Sequence, residues 1–346
     1  MKSPTYAVHT FLWGNSPTTA RDLRLAREAG FMAIKQRFEW RYIEGQRQGL
    51  YEWNEPDRIV KAAEDAGLAI IARIDNQPSW ARRDNLFPGS GPPDDLDDWR
   101  IFLERVAARY KGRITAYQIW NEPNLDREWA NREPSAEEYV SLLRVAYQAI
   151  KKSDPDALVI SAGLSPTTEV SSRARADAVF LPEMYAAGLK DVSDMVGVHG
   201  AGFKAEPEAD PAVVSQSPDL TNNDPSSPEL RRLYAFRHVE DIRQIMIDHG
   251  DATKQMAILE MGWTSDPRPA SPYAWHSVSE ETKGEYIVRA FQLAAERWRT
   301  WMGFMTVIYL PEVHWTRNDE QYWWSLTDTD GSPRPAYSAI KRFLRP

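Results

Sequence analysis

The sequence predicts a single α/β domain, a closed (β/α)8 TIM barrel spanning residues 1–346. Three observations carry this expectation. Short apolar runs alternate with helix-like segments eight times along one continuous stretch. The runs are nearly unbroken, as at residues 68–74, which suits parallel strands covered on both faces. The turn after the first run, Trp13-Gly14-Asn15, lacks the glycine-rich loop that a doubly wound open sheet would need. The 346 residues leave room for a barrel of about 250 residues with insertions.

Residues 6–13 read as the first strand. Ser16-Pro17-Thr18 opens a helix that Gly30 stops near Ala29. Residues 31–38 form strand two, with Lys35 and Arg37 on one face by the period of two. A helix from Asn54 or Glu55 ends at Gly67, and residues 68–74 make strand three. The polar loop 75–80 and the Gly-Ser-Pro cluster at 88–93 follow. Helix three covers about 95–110 and strand four 114–120, which Pro123 closes because proline cannot extend a ladder. Ser135-Ala136-Glu137-Glu138 resembles a capping box and starts a helix reaching about Lys152. Strand five is 157–162, a helix follows at 178–187, and strand six is 195–199. Residues 203–229 break the rhythm, being rich in Pro, Ser, Asn and Asp. They are expected to form an extended excursion on the rim. One helix over 230–249, strand seven at 255–261, a helix at 279–298, strand eight at 302–310 and a last helix at 336–344 complete the series.

The formal charge of −8 argues against nucleic acid as a partner. The absence of cysteine removes disulfides, thiolate metal sites and thiol catalysis together. No apolar run has transmembrane length, and residues 1–6 lack the apolar segment of a signal peptide, which leaves localisation and oligomeric state open. The fourteen tryptophans are expected mostly in the core, with about a third lining a cleft where flat rings stack on sugar.

In such a barrel the site forms where strands end. Those positions hold Trp13, Lys35, Arg37, Asp75, Asn76, Asn121, Glu122, His199, Glu260 and Tyr309. Two glutamates stand out, Glu122 in Trp120-Asn121-Glu122-Pro123 and Glu260 in Leu259-Glu260-Met261-Gly262-Trp263. Each ends an apolar strand at a turn residue. A pair of carboxyls facing each other across a barrel mouth suits glycoside hydrolysis: one attacks the anomeric carbon, the other gives a proton to the leaving oxygen. Either glutamate alone reads more readily as a salt bridge or cap, and His199 reads equally as a hydrogen-bonded core histidine. For Lys35 and Arg37 the competing reading is a rim ion pair. For Trp80, as for Trp40 and Trp53, it is packing.

These motifs resemble glycoside hydrolase clan A, and most nearly family 39 and bacterial cellulase-like relatives of the family 5 type. The matching pieces are Trp40…Glu44…Gly49-Leu50-Tyr51-Glu52-Trp53, Pro78-Ser79-Trp80-Ala81, Val196-Gly197-Val198-His199, Ser325-Leu326, Asp330-Gly331 and Pro335-Ala336-Tyr337, so the resemblance covers nearly the whole chain. It implies a retaining glycosidase with Glu122 as acid/base and Glu260 as nucleophile. Asn121 would then bind the sugar 2-hydroxyl, and His199 would line the site near the nucleophile. Two departures stand out. Lys35 occupies the strand-two position where clan members often carry arginine, unless Arg37 takes that role. Gly200-Ala201-Gly202 follows His199 in place of Pro-Tyr, so Tyr309 or a residue of the excursion would supply the aromatic hydroxyl. Asn76, Trp80 and Trp315 complete the candidate sugar contacts. Glu122 is expected to have a raised pKa, from the Glu260 charge and from Trp120 and other apolar walls. A β-linked oligo- or polysaccharide is the expected substrate, and no cofactor or metal is required. The alternatives are a catalytically silent carbohydrate-binding barrel and a transglycosylase using the same pair.

Overall fold

The computed structural model describes residues 3–84 and 87–345. Met1 and Lys2, the first residues of the stretch expected to lack an apolar leader, lie outside them. Eight strands form one closed barrel in sequence order, each parallel to its neighbours. They are β1 Thr5–Thr10, β2 Ala33–Glu39, β3 Ala69–Asp75, β4 Ala116–Ile119, β5 Leu158–Ile160, β6 Met195–Ala201, β7 Gln255–Gly262 and β8 Met302–Val307. The principal helices are α1 Ser16–Ala29, α2 Asn54–Asp65, α3 Leu96–Arg109, α4 Ala136–Ser153, α5 Asp177–Ala186, α6 His238–Asp248, α7 Glu280–Leu293 and α8 Pro335–Leu344.

Local chemistry explains the helix limits. Pro17 sits in the first turn of α1, where its missing N–H costs nothing. Gly30 closes that helix at φ 95°, a left-handed conformation that favours glycine. Asp95 and Ser279 accept from the N–H groups of Asp97 and Thr282 and cap α3 and α7. Ser135 caps α4 by accepting from Glu138 N. The expected capping box is only half formed, because the Glu138 carboxylate accepts from Trp129 Nε1 and Arg132 instead.

Two expectations about helices are corrected. The helix expected over 230–249 is broken into a turn at Pro228–Arg231, a 3-10 turn at Arg232–Tyr234 and α6. The break falls where Ala235 turns extended and joins Ala205 and Val214 in a small apolar cluster. Tertiary burial of that alanine overrides local helix preference. The helix expected to reach 298 leaves α geometry at Leu293 and continues as a π-helical turn, Ala294–Trp298. The excursion at 203–229 contains a short helix, Pro211–Val214. Among the described residues no helix is long and apolar enough to cross a membrane.

The barrel interior has two levels. Ala7, Ala33, Ile71, Ala116, Ile160, Met195, Ala257, Leu259 and Phe304 form an apolar plug to which all eight strands contribute. Two residues further along the strands the same faces carry His9, Lys35 and Arg73, all buried. A separate, larger apolar cluster packs helices onto the barrel's outer face. His9, Lys35 and Arg73 thus lie on the side of the plug toward which the strands run.

Candidate active site

Glu122 lies three residues beyond β4. The chain there adopts left-handed backbone at Trp120 (φ 68°) and Glu122 (φ 45°), which costs free energy for residues other than glycine. The surroundings hold it in place. Gln118 Nε2 donates to Trp120 O at 2.9 Å, and Glu122 N donates to Gly163 O at 3.0 Å. The Trp120 indole is buried outside the barrel and donates to Glu128 O. Packing and backbone hydrogen bonds therefore fix the carboxylate's direction.

Glu260 is aimed by a bulge. The β6–β7 ladder pairs Val198 with Ile258, then His199 with Glu260, so Leu259 is the extra residue. Bulges re-aim side chains in this way. Lys35 Nζ, fully buried, donates to Glu260 Oε1 at 2.8 Å and to Leu259 O at 3.1 Å. Arg73 Nη1 and His9 Nδ1 each stand 3.9 Å from the same oxygen. Burial alone would raise the Glu260 pKa. The adjacent cations, Lys35 first, outweigh it and hold the carboxyl far below its usual range. Burial pulls Lys35 down to about 8 against the attraction of Glu260. His9 is held well below its ordinary value by burial and by Lys35.

His199 joins the two glutamates. It stands beside Glu260 in the ladder, and its Nδ1 donates to Glu122 Oε1 at 3.0 Å. Arg127 Nη2 donates to the other oxygen, Oε2, at 3.2 Å. Burial raises the Glu122 pKa, yet His199 and then Arg127 outweigh both burial and the Glu260 charge. The expected upward shift is therefore corrected: in the free protein Glu122 lies below its ordinary value. The apolar wall and the like charge are visible in the sequence, whereas the two donors, one of them brought by another strand, are not.

The remaining candidates separate. Arg37 meets Asp75 at 3.1 Å and Glu39 at 3.2 Å, so Lys35 and Arg73 take the places beside Glu260. Asn121 is buried and accepts from Gln118 at 3.3 Å. Asn76 donates to Glu39 at 2.8 Å. Trp80 packs edge-on against Trp40 and donates to Glu44 O, the packing reading for this ring. Tyr309 lies in an aromatic wall with His9, Phe11 and Trp315. Burial, then the charges of Glu260, Glu320 and Glu122, push its hydroxyl well above the ordinary tyrosine value.

Several residues at the site carry little or no signal in the sequence. Arg73 and His9 were visible in principle, as polar residues on the inward period of otherwise apolar strands. Arg127 and Tyr273 sit in loops without periodicity and carried no signal.

Residues 2–235 match the cellulase family model, glycosyl hydrolase family 5. No curated protein matches the sequence. Among solved structures, a family 39 glycoside hydrolase from Bacteroides cellulosilyticus WH2 is similar over 99% of this chain, at 19% identity and a TM-score of 0.69. A family 39 enzyme from Xanthomonas axonopodis pv. citri is similar over 98%, at 18% identity and 0.66. Xylanase 10B from Thermotoga petrophila RKU-1, in complex with xylobiose, is similar over 98%, at 16% identity and 0.61. The chain spans 63% and 65% of the length of the two family 39 structures, and 93% of the xylanase. At these identities the likeness is one of fold.

Proposed function

The chain belongs to glycosyl hydrolase family 5, the cellulase family, and from that premise we propose that it is a retaining β-glycosidase with Glu260 as nucleophile and Glu122 as acid/base. The observation that carries this is the contrast around the two carboxyls. Glu260 is held ionised by a fully buried lysine and a nearby arginine. Glu122 stands on the far side of His199 with its Oε2 turned to a largely exposed guanidinium.

In the first step Glu260 attacks the anomeric carbon while Glu122 gives its proton to the departing glycosidic oxygen. Lys35 keeps one oxygen of Glu260 occupied, leaving the other for attack. The ester formed removes the Glu260 charge. Glu122, now ionised, takes a proton from water, which attacks the anomeric carbon and releases Glu260. His199 holds Glu122 in both steps. Asn121 is assigned the sugar 2-hydroxyl, and Tyr309 with Trp315 one wall of the sugar site. The substrate is a β-linked oligo- or polysaccharide.

Two variants test the assignment. Glu260→Ala should abolish turnover of aryl β-glycosides, and added azide should restore it with an inverted glycosyl azide as product. Near wild-type activity in Glu260→Ala would sink the assignment. Glu122→Ala should slow substrates with poor leaving groups far more than activated aryl glycosides; equal losses would remove Glu122 from the role of acid.

A further inference from the structure

A general acid needs a free carboxyl oxygen that carries a proton and faces the leaving group. In the free protein both carboxyl oxygens of Glu122 are engaged. His199 occupies Oε1 at 3.0 Å and Arg127 occupies Oε2 at 3.2 Å. The two partners differ in kind. His199 is buried, and its ring lies so close to Gly163 that a Cβ there would come within 2.2 Å of it. Burial leaves it little room to leave Glu122 for solvent. Arg127 lies in the 3-10 turn Asp126–Glu128, and 66% of its side chain is exposed. Its backbone N–H is tied to the Asp126 carboxylate at 2.7 Å, but its guanidinium is free to move into solvent.

We propose that Arg127 is a substrate-displaced guard on the acid/base carboxyl, so that Glu122 gains its proton only when a sugar fills the leaving-group side of the cleft. The proposal rests on the assignment of Glu122 as acid/base. The leaving-group oxygen must approach Oε2, since Oε1 is committed to His199. A substrate that places its glycosidic oxygen there takes the position of the guanidinium. With the guanidinium gone, Glu122 takes one proton from solvent, then delivers it to the departing oxygen as the glycosidic C–O bond breaks. The charge balance closes without any further reactant. Tyr273, from the loop after β7, packs on His276 and Trp324 and lies close enough to feel the charges of both Arg127 and Glu122.

Several titratable groups among the described residues act on Glu122. Arg127 and Glu128 come from its own loop, His199 from β6, Glu260 from β7, Tyr273 from the loop after β7 and Tyr309 from the end of β8. Arg127 is the exposed cation among them. Removing it raises the Glu122 pKa in the free enzyme and changes little in the complex, where it has already left. The pH dependence of kcat/KM reports the free enzyme and that of kcat the complex. In wild type, the alkaline limb of kcat/KM should therefore lie below that of kcat.

The test compares wild type, Arg127→Ala and Arg127→Lys on a phenyl β-glycoside that the wild type hydrolyses. In Arg127→Ala the alkaline limb of kcat/KM should move up by about one pH unit, while that of kcat stays in place. Arg127→Lys should retain most of the wild-type separation. Unchanged profiles in Arg127→Ala, or an equal shift of both limbs, would overturn the proposal. Glu122→Gln separates the two readings: if the alkaline limb survives in that variant, the assignment of Glu122 fails before the role of Arg127 is reached.

Discussion

Leu259 and Glu260 are consecutive in the chain, yet both turn toward the barrel interior. Leu259 belongs to the apolar plug, and Glu260 meets Lys35 Nζ on the level above it. A regular strand sends successive side chains to opposite faces, so Glu260 would otherwise face the helices with Ile258. The extra residue in the β6–β7 ladder allows the exception. The same shift sets Glu260 beside His199, whose ring touches Glu122. A single irregularity thus couples the two carboxyls.

Lys35 is the nearest cation to Glu260. Lys35→Met should lower kcat/KM on the order of 100-fold, the usual scale for removing one preorganised electrostatic partner. The acidic limb of the kcat/KM profile should also move to higher pH. The sign follows from the charge: Glu260 is held down by Lys35, so its pKa rises when Lys35 is lost. A profile that falls in amplitude without moving would assign the control of Glu260 to Arg73.

His238 offers a test of stability away from the cleft. Its ring is buried between Asp177 and Asp241, with Nε2 3.1 Å from Asp177 and Nδ1 3.0 Å from Asp241. Burial would lower its pKa, but the two carboxylates overcome burial and raise it to about 9. A raised histidine stabilises the fold fully below its unfolded value near 6.5, and that contribution is lost as pH rises through about 9. The contribution is on the order of 3 kcal/mol. Urea unfolding between pH 6 and 10 should show this alkaline loss in wild type and not in His238→Phe. A parallel decline in both proteins would place its origin elsewhere.

The outer aromatic core should behave differently from the site. Trp99 is fully buried and packs against Trp40 and Trp120 with ring centroids 5.3 and 6.1 Å away. Trp99→Ala should cost about 3–5 kcal/mol of stability, as large aromatic truncations do. Because Trp99 touches neither glutamate, the pH profile of kcat/KM should keep its shape. A shifted limb would show that this stack transmits strain to Glu122 through Trp120.

The order of strands and helices was legible because each strand is a short apolar run and each helix starts or stops at a residue with a local reason, such as Pro17, Gly30 or Ser279. The two glutamates were legible because each interrupts an apolar strand end. What the sequence concealed depends on contacts between distant segments. The bulge at Leu259 leaves no mark in residues 255–262, since it exists only relative to the neighbouring strands. The choice of Lys35 over Arg37 beside Glu260 was hidden because both share one face of β2; Asp75 and Glu39 decide it by taking Arg37. The direction of the Glu122 shift was hidden for the same reason, since His199 arrives from β6.

Gly163 tests that coupling most directly. Its carbonyl accepts from Glu122 N at 3.0 Å, and a Cβ on it would sit 2.2 Å from His199 Cδ2 and 2.3 Å from Nε2. No rotation of a flexible chain relieves this, because the obstacle is a buried imidazole ring. Gly163→Ala must therefore push the ring away from the loop after β5, which loosens its 3.0 Å contact with Glu122 Oε1. A misplacement of about 1 Å can cost on the order of 100-fold in rate. The expected outcome is a fall in kcat of roughly 10–100-fold with far-UV circular dichroism unchanged. The pH profile should change as well: with His199 displaced, Glu122 loses the neighbour that lowers its pKa most, and the alkaline limb moves up. Wild-type kcat and profile in a folded Gly163→Ala protein would show that the His199 ring position is not what holds Glu122.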